Sequence, residues 1–195
     1  MDATPRAEGL PEFRGVYTLE HVFDTAGTWA GRLEYQSEAS DFLFVVREEP
    51  AAPAVGDAAS TAASPTPDTT LGVDPICTRE PPCPLHAVSL DTLVGKGRPV
   101  VIMFGTPALC QTQYCGPVLD VLMPIAEEHS AEIDTVHVEI YRDLTGERSA
   151  PTVEAWNLPS EPWVYGVDAT GRITARVDGA FDATEIRSVY DTLTP

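Results

Sequence analysis

Residues 50–75 set the terms on which the rest of the chain can fold. They hold five prolines, no aromatic residue and, as larger aliphatics, only Val55, Leu71 and Val73. Such a stretch buries too little apolar surface to offset its ordering entropy, so it is a linker or a chain draped over another surface. It leaves a short block, residues 11–49, on one side and a larger one, residues 77–195, on the other. A chain of 195 residues has room for one medium domain and a satellite.

Composition narrows the function. Hydrophobic residues make up 43%, which supports a real core, and the formal net charge of −18 repels phosphate backbones and anionic membrane surfaces. Nucleic acid is excluded as a partner. This is an acidic protein whose Asp and Glu are spread along the chain, as on a solvated surface. No apolar run approaches the length of a membrane span.

The block 11–49 is β in character. Val16–Phe23 alternates, Asp24-Thr25-Ala26-Gly27 turns, Trp29–Gln36 returns, and Phe42–Arg47 supplies a third run, which predicts a three-stranded block. Residues 77–195 alternate strand and helix. Pro99–Phe104 is a continuous apolar run, as a strand buried on both faces requires. A helical pattern with Val118, Leu119, Leu122, Ile125 and Ala126 runs to about His129. Strand Ile133–Ile140 follows, then a short helix near Thr152–Trp156, then Trp163–Val167 and Arg172–Val177 joined by a turn at Asp168–Gly171. A final helix opens at Asp182 with Glu185 three residues on, a capping pattern. The order is β-α-β-α-β-β-α.

Four cysteines form two close pairs, Cys77/Cys83 and Cys110/Cys115. Local even pairing suits an oxidising compartment or a redox site. Zinc sites favour two to four residues between paired cysteines; the gaps here are five and four, which argues against zinc. Residues five apart in a regular helix have Cα atoms about 8.7 Å apart, and a disulfide needs less than about 7 Å. Cys110 and Cys115 can therefore bond only if Cys110 lies in the loop or in an irregular first turn. Pro117, which fits best at a first helical position, places the start of the regular helix near itself with both cysteines just ahead. Pro124 is then expected to kink it. Cys77 and Cys83 bracket Thr78-Arg79-Glu80-Pro81-Pro82, which predicts a structural disulfide.

The element order resembles the thioredoxin fold. Three stretches carry the resemblance: Val100–Phe104 ending near cysteines, Trp156-Asn157-Leu158-Pro159-Ser160-Glu161-Pro162-Trp163-Val164-Tyr165, and the hairpin through Gly171 before Gly179 and the capped last helix. The second is similar to the family's segment in which a cis-proline faces the redox cysteines, and this implies that role for Pro162. The cysteine site departs from Cys-x-x-Cys. Cys115-Gly116-Pro117-Val118 matches Cys-Gly-Pro-Cys with valine last. Alternatively, Thr106-Pro107-Ala108-Leu109-Cys110…Cys115 resembles the site of peroxiredoxins of the bacterioferritin comigratory type, with one extra residue before Cys110. The family's buried aspartate is absent, Met103 standing at about that place. Gly15-Val16-Tyr17…Phe23–Trp29 resembles the closing strands of immunoglobulin-like modules of bacterial extracytoplasmic proteins, over half such a module.

A thiol beside a helix N-terminus has its thiolate stabilised, and a neighbouring thiol resolves the mixed disulfide. The leading expectation is an extracytoplasmic thiol–disulfide oxidoreductase, secreted or membrane-anchored, acting on protein thiols through Cys110, Cys115 and Pro162. It needs neither cofactor nor metal, and its precursor is expected to carry an export signal or lipid anchor. The alternative is a non-catalytic thioredoxin-fold binding module with structural disulfides; thiol peroxidase and copper carriage rank lower. Copper carriers of the Sco type place a histidine in the loop that corresponds to Arg142–Ala150, which has none here. His21 and His137 alternate within strands and read as structural. Finally, Val16, Phe23, Trp29, Leu33, Phe42 and Phe44 are too many apolar residues for 39 residues to enclose, which predicts a homodimer through residues 11–49.

Overall fold

The computed structural model describes residues 2–12, 14–19, 21–110 and 113–194. Glu20 of the first expected strand, and Gln111 and Thr112 between the second pair of cysteines, lie outside the described residues.

Short strands β1 (Thr4–Arg6) and β2 (Val16–Thr18) pair with each other, and β3 (Gly27–Tyr35) pairs with β4 (Glu38–Val46). The expected three-stranded block is therefore two separate antiparallel pairs. The cause is an anchor between β1 and β2. Ala183 N–H donates to the Glu8 carbonyl at 2.8 Å and Glu8 N–H donates to Asp182 Oδ2 at 3.1 Å, so the chain folds back on itself and supplies β2 with β1 as its partner. On the β3–β4 pair, Phe23 packs edge-on against Trp29 and Phe44, with ring centroids 5.0 and 5.4 Å away, while Leu43 is 73% exposed.

The main sheet is four-stranded, in the order β6 (Asp134–Val138), β5 (Val100–Phe104), β7 (Trp163–Val167), β8 (Ile173–Asp178). β5 and β6 are parallel; β7 is antiparallel to β5, and β8 to β7. Every residue of β5 is buried. Val101 and Met103 face a layer of helices α1 (Cys115–Glu128) and α3 (Ala183–Asp191), whose core residues include Leu119, Leu122, Ile186 and Tyr190. Val100, Ile102 and Phe104 face the other way, toward Trp156 of α2 (Pro151–Trp156), Leu90 and Val94. The continuous apolar pattern of β5 is thus a consequence of cover on both faces. Helix α3 opens with the capping box foreseen: Glu185 N–H donates to Asp182 Oδ1 and Asp182 N–H to Glu185 Oε2.

Residues 50–75 lie along the α2 face of the sheet. Ala52, Ala59 and Val73 are buried in that core layer. Backbone bonds fix the segment to the start of β8: Gly56 N–H to the Ile173 carbonyl at 2.8 Å, Ile173 N–H to Asp57 at 3.0 Å, and Ala59 N–H to Gly171 at 2.9 Å. Further on, Thr152 Oγ1 donates to the Ala63 carbonyl. Small side chains let this backbone lie close to the sheet, and neighbouring donors and acceptors satisfy it. Of the two alternatives that the composition left open, the draped chain is the one observed.

Candidate functional site

β5 ends at Phe104 and the chain turns through Gly105, Thr106 and Pro107 to reach α1. That helix begins at Cys115, two residues before the expected start, with Gly116 and Pro117 in its first turn, where a missing N–H costs nothing. Pro124 lies inside the helix, which continues to Glu128. Cys110 stays in the loop. Its Cα is 5.9 Å from that of Cys115, and the two are joined by a disulfide. Tyr114, at the helix cap, makes no side-chain cap bond; instead Cys115 N–H points at Cys110 Sγ, 3.2 Å away. The loop sulfur therefore sits against a backbone donor at the positive end of a helix, which favours its thiolate when the bond is reduced.

Pro162 immediately precedes β7, and the Glu161–Pro162 peptide is cis. A Cβ placed on Gly105 would lie 3.5 Å from Cys115 Cβ and 3.6 Å from Pro162 Cβ, so all three residues meet at the end of β5. Glu161 is the residue that sequence reasoning missed. Its Oε2 accepts the Thr106 N–H at 2.8 Å and lies 3.4 Å from Cys115 Sγ. Burial raises its carboxyl above the ordinary carboxylate range, with the Thr106 amide pulling the other way. Oε1 is buried with no hydrogen-bond partner among the described residues. A proton acceptor thus reaches Cys115 from the strand-entry loop, whereas Met103 on β5 is packed into the apolar core. The available signal was an acid directly before Pro162.

The strand order, the helix carrying a cysteine after the first strand of the sheet, and the proline before the third strand decide the fold. The four-stranded sheet and its helices have the thioredoxin fold. Comparison with protein-family models and with curated proteins gives no match. Among solved structures, one described as a thiol:disulfide interchange protein DsbE from Chlorobium tepidum has 13% identity and a TM-score of 0.49, over 71% of this chain and 94% of that one. A thiol:disulfide interchange protein of the thioredoxin family from Chlorobium tepidum TLS has 14% identity and a TM-score of 0.49, over 72% of this chain and 97% of that one. The thioredoxin fold named here rests on this chain's own strand order and helix placement.

The other cysteine pair stands elsewhere. Cys77 and Cys83 are buried thiols with their Sγ atoms 3.7 Å apart, so the expected Cys77–Cys83 disulfide is not formed in the structure. Cys83 N–H donates to Cys77 Sγ at 3.3 Å, and Cys83 Sγ lies 3.5 Å from His137 Nδ1. These polar neighbours hold the sulfurs at contact distance. His137 is on β6, and its N–H donates to the Leu85 carbonyl, which brings His86 beside it with Nε2 3.2 Å from His137 Nδ1. Burial pulls His86 below the usual imidazole range. The other two histidines are apart from both sites: His129 stacks on Tyr190, and His21 packs on Phe23 outside any strand.

Proposed function

We propose that this protein is a thiol–disulfide oxidoreductase working in an oxidising, extracytoplasmic compartment on protein thiols. The observation that carries the reading is the Cys110–Cys115 disulfide at the start of α1 with the Glu161 carboxyl 3.4 Å from Cys115 Sγ. Cys110, 8% exposed against none for Cys115, is the attacking sulfur. Its thiolate attacks a substrate disulfide and releases one substrate sulfur as thiolate, leaving a mixed disulfide. Cys115 then gives its proton to Glu161 and attacks Cys110 Sγ. The mixed bond breaks, the second substrate sulfur leaves, and the chain ends oxidised after passing two electrons to the substrate. The reverse sequence oxidises a substrate dithiol. Pro162, beside Cys115, shapes the groove in which the substrate backbone lies.

Turnover of insulin disulfides with dithiothreitol as reductant tests the reading. The full chain is expected to accelerate it and Cys110→Ser and Cys115→Ser to abolish the acceleration. No acceleration by the intact, folded chain would leave a binding module with the thioredoxin fold, and peroxide consumption in its place would point to a peroxidase. We also propose a homodimer through residues 11–49, supported by the two-stranded β3–β4 sheet and by Leu33, Phe42 and Leu43, which are half or more exposed. Light scattering on the full chain is expected to give twice the chain mass.

A further inference from the structure

Cys77, Cys83, His86 and His137 are all buried, and one donor atom from each lies within 4.8 Å of the others. No redox partner is needed to explain the arrangement, and a disulfide does not account for the two imidazoles. A tetrahedral zinc ion with bonds of about 2.3 Å to sulfur and about 2.05 Å to nitrogen sets its donors about 3.8 Å (S···S), about 3.6 Å (S···N) and about 3.3 Å (N···N) apart. The observed separations are 3.7 Å for Cys77 Sγ to Cys83 Sγ, 3.5 Å for Cys83 Sγ to His137 Nδ1 and 3.2 Å for His137 Nδ1 to His86 Nε2. Three of the six donor–donor separations thus match a tetrahedral ion, and all six are within 4.8 Å.

Surrounding groups orient the ligands. His137 Nε2 is 2.8 Å from the Gly105 carbonyl. A carbonyl only accepts, so Nε2 carries the hydrogen and, in the neutral ring, Nδ1 presents its lone pair to the cluster. On the cysteine side, Thr78 N–H and Oγ1 both donate to the buried Glu139, at 2.6 and 3.2 Å, which fixes the loop that carries Cys77. The Leu85–His137 backbone bond, 2.9 Å long, fixes the segment that carries Cys83 and His86.

We propose that Cys77, Cys83, His86 and His137 bind one zinc ion as a closed, structural site. Two thiolates and two neutral imidazoles complete the coordination, the ligand charge balances that of the ion, and two thiol protons leave to solvent on binding. The ion ties the 77–86 loop to β6 and keeps Cys77 and Cys83 out of exchange with Cys110 and Cys115. Spacing alone hid the site. The five-residue gap between the cysteines disfavoured zinc, yet only two residues separate Cys83 from His86 in the loop, and β6 supplies His137.

The test uses the full chain, reduced and stripped with a chelator, then titrated with zinc or cobalt(II). One equivalent of either ion is expected, and cobalt should give the intense visible bands of tetrahedral coordination together with a thiolate-to-cobalt charge-transfer band. The Cys110→Ser/Cys115→Ser chain should bind with unchanged stoichiometry. His86→Gln, verified as folded by circular dichroism, should weaken zinc by at least about tenfold, and Cys83→Ser should remove the charge-transfer contribution of one thiolate. X-ray absorption should show two sulfur and two nitrogen neighbours. A folded, reduced chain that takes up no zinc would overturn the proposal, as would affinity unchanged in His86→Gln. So would a Cys77–Cys83 disulfide, found by mass spectrometry in protein secreted into zinc-replete medium.

Discussion

The two cysteine pairs have nearly the same spacing and are both buried, yet they meet different chemistry. Cys110 and Cys115 straddle a helix start, with backbone N–H groups on one side and a carboxyl on the other. Cys77 and Cys83 lie beside two imidazoles. Both environments meet at one residue: Gly105 gives its carbonyl to His137, while its Cα faces Cys115 and Pro162. A sulfur's role here is set by what surrounds it. In the roles proposed above, a helix terminus and a proton acceptor suit an exchanging pair, and neutral nitrogen donors suit a ligand set.

The largest expected effect separates the pairs outright. Cys115→Ser should reduce insulin turnover to the uncatalysed rate, whereas Cys83→Ser, assayed as folded protein, should retain turnover; equal loss in both would erase the distinction. Next comes Glu161→Gln, expected to slow turnover about 100-fold. The wild-type rate should rise with pH as Glu161 ionises, through a range above that of an ordinary glutamate, and the variant should lack that inflection. Stability gives an independent sign. A carboxyl raised by burial binds its proton more tightly in the folded state, so its contribution is present below the unfolded pKa and lost as pH rises through the folded one. Relative to wild type, Glu161→Gln should therefore be more stable at neutral pH than in acid, as read by denaturant midpoints at both.

A smaller effect follows from the Cys110–Cys115 bond itself. It closes a loop with a sequence separation of only 5, so reducing it should cost about 2 kcal/mol, or about 4–8 °C in Tm. A much larger loss would mean that the pair is a structural staple. The smallest concerns the chain that rests on the site. Arg14 donates to the Gln113 carbonyl at 3.0 Å and lies 5.3 Å from the centre of the Tyr114 ring, and Tyr114 Oη donates to the Gly15 carbonyl. Arg14→Ala should cost about 1 kcal/mol and leave zinc binding unchanged.

Most of the sheet was legible, because β5 is apolar at every position, β7 follows a proline, and α3 carries its own capping pair. Each signal is local. The pairing of Cys110 with Cys115 was legible for the same reason, since helix geometry limits where residues five apart can meet. What escaped notice depended on contacts between distant segments. Glu161 and Cys115 are 46 residues apart, and Cys83 and His137 54 apart; no periodicity brings them together. The pairing of β2 with β1 was equally hidden, because it depends on Glu8 docking 174 residues away at Asp182.

The segments that wrap the sheet have a consequence for the protein in concentrated solution. In the order β6-β5-β7-β8 the outer strands are the places where another molecule could add its own backbone. At β6, the His137 N–H is already taken by Leu85; at β8, Gly56 to Ala59 occupy the donors and acceptors at its entry, and Arg176 further along reaches the carbonyls of Ala52 and Pro53. Both edges are partly covered by chain that precedes β5 in sequence. Trimming that chain back to the sheet and helices would expose more of both borders, and the shortened domain should aggregate edge to edge more readily than the full chain.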